Sequence, residues 1–181
     1  MADALQDVHL QPLTCLRCQT PLPANADEVA WVCPACGQGQ ILYPNGKFSP
    51  LEIQYSAQIA PGKSGRPFWV AGGTAVLQRQ TFRGNRAQEM QAFWQNPQRF
   101  FVPAYHLPLQ QVIELGAQLL LNPPALQAGP AAPFQAVQVP PGDVHPLAEF
   151  ILLGIEADRK DALKTLNFTL DLERPQLWIL P

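Results

Sequence analysis

From Thr165 to Leu172 apolar and polar residues alternate without a fault, which predicts a half-buried strand. The same period runs through Glu52–Ile59, with Ile53, Tyr55, Ala57 and Ile59 on one face. Shorter apolar segments at Phe68–Val70, Thr74–Phe82, Phe100–Val102, Phe134–Val139 and Gln176–Leu180 read as further strands, with Gly72 and Gly73 as a break between the first two. The period changes in two places. Asn85 is placed to cap a helix running to Gln95, with Met90, Phe93 and Trp94 on one face and Asn96-Pro97 as its stop. Pro108 suits the first turn of a second helix, in which Leu109, Val112, Ile113, Gly116 and Leu120 recur at helical spacing before Asn122-Pro-Pro124.

Residues 148–157 fit either a buried strand or a helix starting at Pro146. The charged stretch Asp158–Asp161 reads as a turn between two strands and favours the strand. Residues 123–133, rich in Pro, Ala and Gly, read as a surface loop. Three aromatic-rich segments, at 67–71, 99–104 and 176–181, are expected to line one core. The pattern as a whole predicts a mostly antiparallel α+β domain with two helices over residues 48–181.

The N-terminal quarter has a different logic. All four cysteines of the 181-residue chain fall between Cys15 and Cys36, as Cys15-Leu-Arg-Cys18 and Cys33-Pro-Ala-Cys36-Gly37. Two Cys-x-x-Cys loops supply four soft ligands for a tetrahedral ion. Pro34 stiffens the second loop and Gly37 can take a positive φ. Val29–Val32 and Gln40–Tyr43 read as strands flanking the second loop, and Asn45–Pro50 as a turn or linker. Over residues 12–44 this pattern resembles the zinc ribbon family. The resemblance implies a ribbon domain over 1–44 with Cys15, Cys18, Cys33 and Cys36 as ligands to a structural zinc ion. It implies no particular function, because zinc ribbons serve in transcription factors, ribosomal proteins, enzymes and adaptors alike.

Rubredoxin-like domains also carry Cys-Pro-x-Cys-Gly and hold iron for electron transfer. They place Gly and an aromatic after the first pair, where this chain has Gln19 and Thr20. A thiol–disulfide exchange site fits less well, since neither pair opens a helical pattern.

Composition narrows the picture further. The chain is 47% hydrophobic, 14% charged and carries a formal charge of −2, so it is not an obvious polyanion binder. Its bases are nonetheless uneven: Lys63, Arg66, Arg79, Arg83, Arg86 and Arg99 meet only Glu89 within residues 61–100. That segment, with the ribbon, is the basis for an alternative reading as a nucleic-acid-binding protein. The first 14 residues have no basic n-region or apolar run, and no segment approaches a membrane span, so a cytoplasmic protein with reduced thiols is expected.

Candidate catalytic groups are sparse. Pro61-Gly-Lys-Ser64 lacks the earlier glycine and the following helix of a phosphate-binding loop. Asp143, His145 and Glu149 invite an acid–base reading, but Asp143 is better read as capping local backbone in a proline-bounded turn. His9 and His106 suggest no constellation. The reading that follows is a non-enzymatic interaction or adaptor protein with a structural metal, a protein partner and room for self-association.

Overall fold

The computed structural model describes residues 12–83, 87–159 and 162–181. The chain divides into two compact units, Met1–Leu51 and Glu52–Pro181.

The first unit is a three-stranded antiparallel sheet, β1 (Ala30–Val32), β2 (Gly39–Leu42) and β3 (Phe48–Pro50), in that order. The expected linker at 45–50 is therefore corrected. Phe48 pairs with Leu42 and meets Trp31 edge-on at 6.2 Å, so residues from 48 onward complete the ribbon sheet. A hydrophobic partner for Trp31 is what the turn at Asn45-Gly46 delivers, with Gly46 at φ 77°.

The second unit is built on β4 (Ile53–Tyr55), β5 (Arg66–Arg83), α1 (Ala87–Gln95), β6 (Gln98–Pro103), α2 (Leu109–Leu121), α3 (Val144–Ala157), β7 (Ala162–Leu172) and β8 (Gln176–Leu180). The α+β class holds. Its axis is the 18-residue strand β5, and among the described strand pairs only β4–β8 is parallel. Along one edge β5 pairs with β6. Along the other it pairs with β8 near its start and with β7 over the rest, so β7 and β8 lie end to end.

Gly72 and Gly73 do not break the strand. They mark the point where β5 changes partner, and each lets another chain segment come close. A Cβ at Gly72 would stand 2.6 Å from Glu173 Oε2, and one at Gly73 2.7 Å from the Asp171 carbonyl. Pro175, with no N–H to give, accompanies the interruption between β7 and β8.

Residues 148–157 are helical, which corrects the strand reading and raises the helix count from two to three among the described residues. Ala148, Ile151, Leu152 and Ile155 are buried at spacings of three and four, and Pro146 sits in the first turn where its missing N–H costs nothing. The apolar run is long because Phe150 and Leu153, which stand exposed, interrupt the polar face that a helix with one buried stripe would otherwise show. Phe134–Val139 is not a strand; Phe134 makes one isolated bridge to Gly65. Beyond Tyr55 the expected strand at 52–59 gives way to a turn in which Ile59 N–H donates to Ser56 O. The cap expected at Asn85 lies outside the described residues, as do His9 and Arg86.

The three aromatic-rich segments do share a core. Phe68, Val70, Phe101, Trp178 and Leu180 form one buried cluster on adjacent strands, with Leu115 and Leu119 of α2 against it. Helices α2 and α3 approach through two glycines: a Cβ at Gly116 would collide with Ile151, and one at Gly154 with Ile113. Gly116→Ala is therefore expected to destabilise. Overpacking against a fully buried Ile costs about 1–3 kcal/mol, which exceeds the gain of about 1 kcal/mol in helix propensity. Urea denaturation checks the sign.

Candidate metal centre

Each cysteine pair is carried on a tight backbone turn, and the two turns repeat one design. In the first, Cys15 N–H donates to Thr20 O (2.8 Å) and Gln19 N–H to Cys15 O (2.9 Å). In the second, Cys33 N–H donates to Gln38 O and Gly37 N–H to Cys33 O, both 2.9 Å. The residue after each second cysteine is left-handed: Gly37 at φ 72° and Gln19 at φ 61°. Glycine meets that demand without steric cost, whereas Gln19 takes it against a penalty of about 1 kcal/mol.

These turns bring all four sulfurs within 4.8 Å of one another. Cys15 and Cys36 Sγ are 3.6 Å apart, and Cys18 and Cys33 Sγ 3.4 Å. Four sulfurs at about 2.3 Å from one zinc-sized ion would stand about 3.8 Å apart at tetrahedral angles. A disulfide would need about 2.05 Å, and all four cysteines are free. The donor set and its spacing thus fit a soft divalent ion. Cys15 and Cys33 are buried and Cys18 is exposed, so the centre lies at the unit's surface with one side open to contact.

Local hydrogen bonds prepare the sulfurs unequally. The Thr20 hydroxyl, 3.3 Å from Cys18 Sγ, the Thr20 backbone and the Cys33 thiol pull Cys18 down to about 6. A bond from the Gln38 backbone acts to lower Cys36, but burial and the three neighbouring thiols outweigh it and push that group up to about 12. Four thiolates this close repel one another, so full ionisation calls for a cation between them.

Surrounding residues hold the turns against the sheet. Leu16 N–H donates to Oε1 of the fully buried Gln40 at 2.6 Å, tying the first turn to β2. Trp31 packs with Cys15, Leu22 and Cys33, and its indole N–H donates to Glu28 Oε2 at 2.8 Å. Gln40 was not legible as a site residue. Its only trace in the sequence is a polar side chain within a strand that is otherwise apolar.

The other candidate groups do not converge. His145 lies in the first turn of α3. Its Nε2 bonds the Leu170 carbonyl at 3.1 Å, and its Nδ1 is 3.7 Å from Glu149 Oε1. Asp143 makes no side-chain cap bond, contrary to the capping role expected for it. It lines a separate cleft of ≈ 320 Å³ beside His106 and Tyr105.

The basic segment is also divided. Arg79 must be removed from any interface, because its side chain is 2% exposed and paired with Glu156. Arg66 donates to the Pro181 carbonyl at 2.8 Å, while Lys63 and Arg99 are exposed. The side chain of Arg83 lies outside the described residues.

Among the described residues no helix is long and apolar enough to cross a membrane. No protein-family model, curated protein or solved structure matches this chain. The metal centre therefore rests on its own geometry.

Proposed function

We propose that the protein is a non-enzymatic, cytoplasmic interaction protein whose four-cysteine centre binds zinc as a structural ion. The observation that carries this is the closed donor set: four sulfurs claim the four tetrahedral positions and leave none for a reactive water. When bound, the ion supplies folding energy and a fixed surface. Cys15, Cys18, Cys33 and Cys36 would hold it. Zinc is preferred to iron because Gln19 and Thr20 stand where rubredoxin-like domains carry Gly and an aromatic.

The partner is read as a protein. Leu16, at the tip of the first turn, is 44% exposed, an apolar contact presented beside the metal. The burial of Arg79 weakens the nucleic-acid reading, which needs a continuous basic face.

Affinity capture of the tagged protein from its own cell extract tests the proposal. A protein partner that survives nuclease and 0.5 M salt (roughly a 4 Å Debye length), and is lost in Leu16→Asp with the metal retained, is the expected result. Recovery of nucleic acid that salt strips away overturns it. Elemental analysis of the same preparation should give zinc; a red, iron-loaded protein would revive electron transfer.

A further inference from the structure

Three of the four tryptophans place their indole N–H on a protein acceptor. Trp31 uses Glu28 Oε2 at 2.8 Å, Trp69 the Val139 carbonyl at 2.7 Å, and Trp94 Glu156 Oε1 at 2.8 Å. Trp178 is also buried, at 9% exposure the least deeply of the four, and its indole N–H has no acceptor among the described residues. Buried indoles normally find one. Its Nε1 is not sealed from solvent either, and Trp178 lines a cleft of ≈ 650 Å³ in the Glu52–Pro181 unit.

The strand register explains why a cleft opens there. Phe68, Val70 and Gly72 of β5 face the same way as their partners Trp178, Phe101 and Arg99. Helix α2 covers the apolar part of this face through Leu115 and Leu119 and ends at Leu121. Past its end, at Gly72, β5 carries no side chain of its own. Arg99 and Arg174 line this end of the sheet; both are exposed, and neither has a carboxylate within ion-pair distance among the described residues. The one acid lining the cleft is Glu173, whose carboxylate lies over Gly72. Trp178, Leu120 and Leu126 supply apolar wall.

We propose that this cleft binds a small planar anion, an aromatic or heteroaromatic acid. The ring lies against Trp178, Leu120 and Leu126, and the oxyanion is taken by Arg99 and Arg174. Two guanidiniums against one carboxylate set the sign of the ligand. The planar fork of each arginine suits a carboxylate, sulfonate or phosphate. A ring heteroatom or oxygen on the ligand supplies the acceptor that Trp178 lacks. The volume is in the range of small-molecule sites, about 300–1,000 Å³. Glu173 opposes the anion, which makes the proposal directional: its neutralisation should improve binding.

The test uses two probes of one shape and opposite charge, 2-naphthoate and 2-naphthylmethylammonium, titrated into the metal-loaded full chain. Calorimetry and the indole ¹H–¹⁵N signals are followed. Expected is saturable one-to-one binding of naphthoate within about 10 mM, as suits a ligand of this size, moving the Trp178 indole signal and not those of Trp69 and Trp94. Arg99→Gln and Arg174→Gln should each weaken it about tenfold, the scale of one charge-assisted bond, and Glu173→Gln should tighten it about threefold. All three side chains are exposed, so thermal melts should match the unmodified chain. No saturation, equal binding of the ammonium probe, or arginine variants that bind as the parent does would each overturn the proposal.

Discussion

Removing the metal is expected to unfold Met1–Leu51 and leave Glu52–Pro181 folded. The buried cluster of the first unit is Cys15, Leu22, Trp31 and Cys33, with Leu13, Cys36, Leu42 and Phe48 partly buried around it. Two of the four buried members are cysteines of the candidate metal centre. Without an ion their sulfurs become a small polar defect at the centre of a core too small to stand alone. Structural zinc contributes roughly 10–16 kcal/mol in comparable modules, which exceeds the stability of any sheet this short. The second unit owes the ion nothing: its core is built from Trp69, Trp94, Phe68, Phe100 and Phe101, all nearly inaccessible.

Chelation, or Cys33→Ser in zinc-containing medium, should therefore collapse the Trp31 indole signal to its random-coil position while the Trp69 and Trp94 signals stay put. Cys33 is chosen because it is 1% exposed and 3.4 Å from Cys18 Sγ, so its loss opens the tetrahedron from inside. A Trp31 signal unchanged by a strong chelator would mean that the unit is held by its apolar contacts alone.

The four-cysteine cluster was legible in the sequence because its spacing is local, with two residues between each pair of sulfurs and a glycine after the second pair; the left-handed Gln19 after the first pair was not. Strand β7 and helices α1 and α2 were legible because their periodicity is uniform, and β6 and β8 because each is a short apolar run bounded by prolines. What sequence reasoning missed depends on partners far along the chain. Asn45–Pro50 reads as a linker until Phe48 is seen against Trp31, and Gly72-Gly73 as a break until β7 and β8 are seen to meet opposite it. The run ending Ile155-Glu156 suggested a buried strand because exposed Phe150 and Leu153 fill in the polar face, and period alone does not separate a short continuous apolar strand from such a helix. The Trp178 cleft left no local trace, because it exists only where α2 stops short of the sheet.

Glu156 carries the second large effect. Its side chain is fully buried near the end of α3, and three elements converge on it. Trp94 of α1 donates to Oε1 at 2.8 Å, as does Arg159 Nε. Arg79 of β5 pairs with Oε2 at 3.1 Å and reaches the Glu156 backbone carbonyl at 3.3 Å. Arg159 in turn lies over the Phe93 ring at 5.9 Å, and Trp94 stacks on Phe100 at 6.1 Å.

Desolvating a carboxylate and a guanidinium costs several kcal/mol, so this pair is not a net stabiliser by default; what it cannot tolerate is the loss of one member. Glu156→Gln removes the carboxylate charge that faces the Arg79 side chain, 2% exposed, and should cost about 3–5 kcal/mol. Trp94→Phe removes one hydrogen bond from an oxygen that keeps Arg159, and should cost about 1–2 kcal/mol. Replacing both together, as Arg79→Met with Glu156→Gln, should recover much of the loss, since no guanidinium is then buried beside a neutral group and the amide oxygen still accepts from Trp94 and Arg159. Urea denaturation of Arg79→Met, Glu156→Gln and the variant carrying both closes the cycle. Strong non-additivity identifies the pair as the joint between α3 and β5. If Glu156→Gln lies within about 0.5 kcal/mol of the unmodified chain, the ordinary range for a neutral surface change, the ion pair does not hold that joint, and the hydrogen bonds to Trp94 and the backbone do.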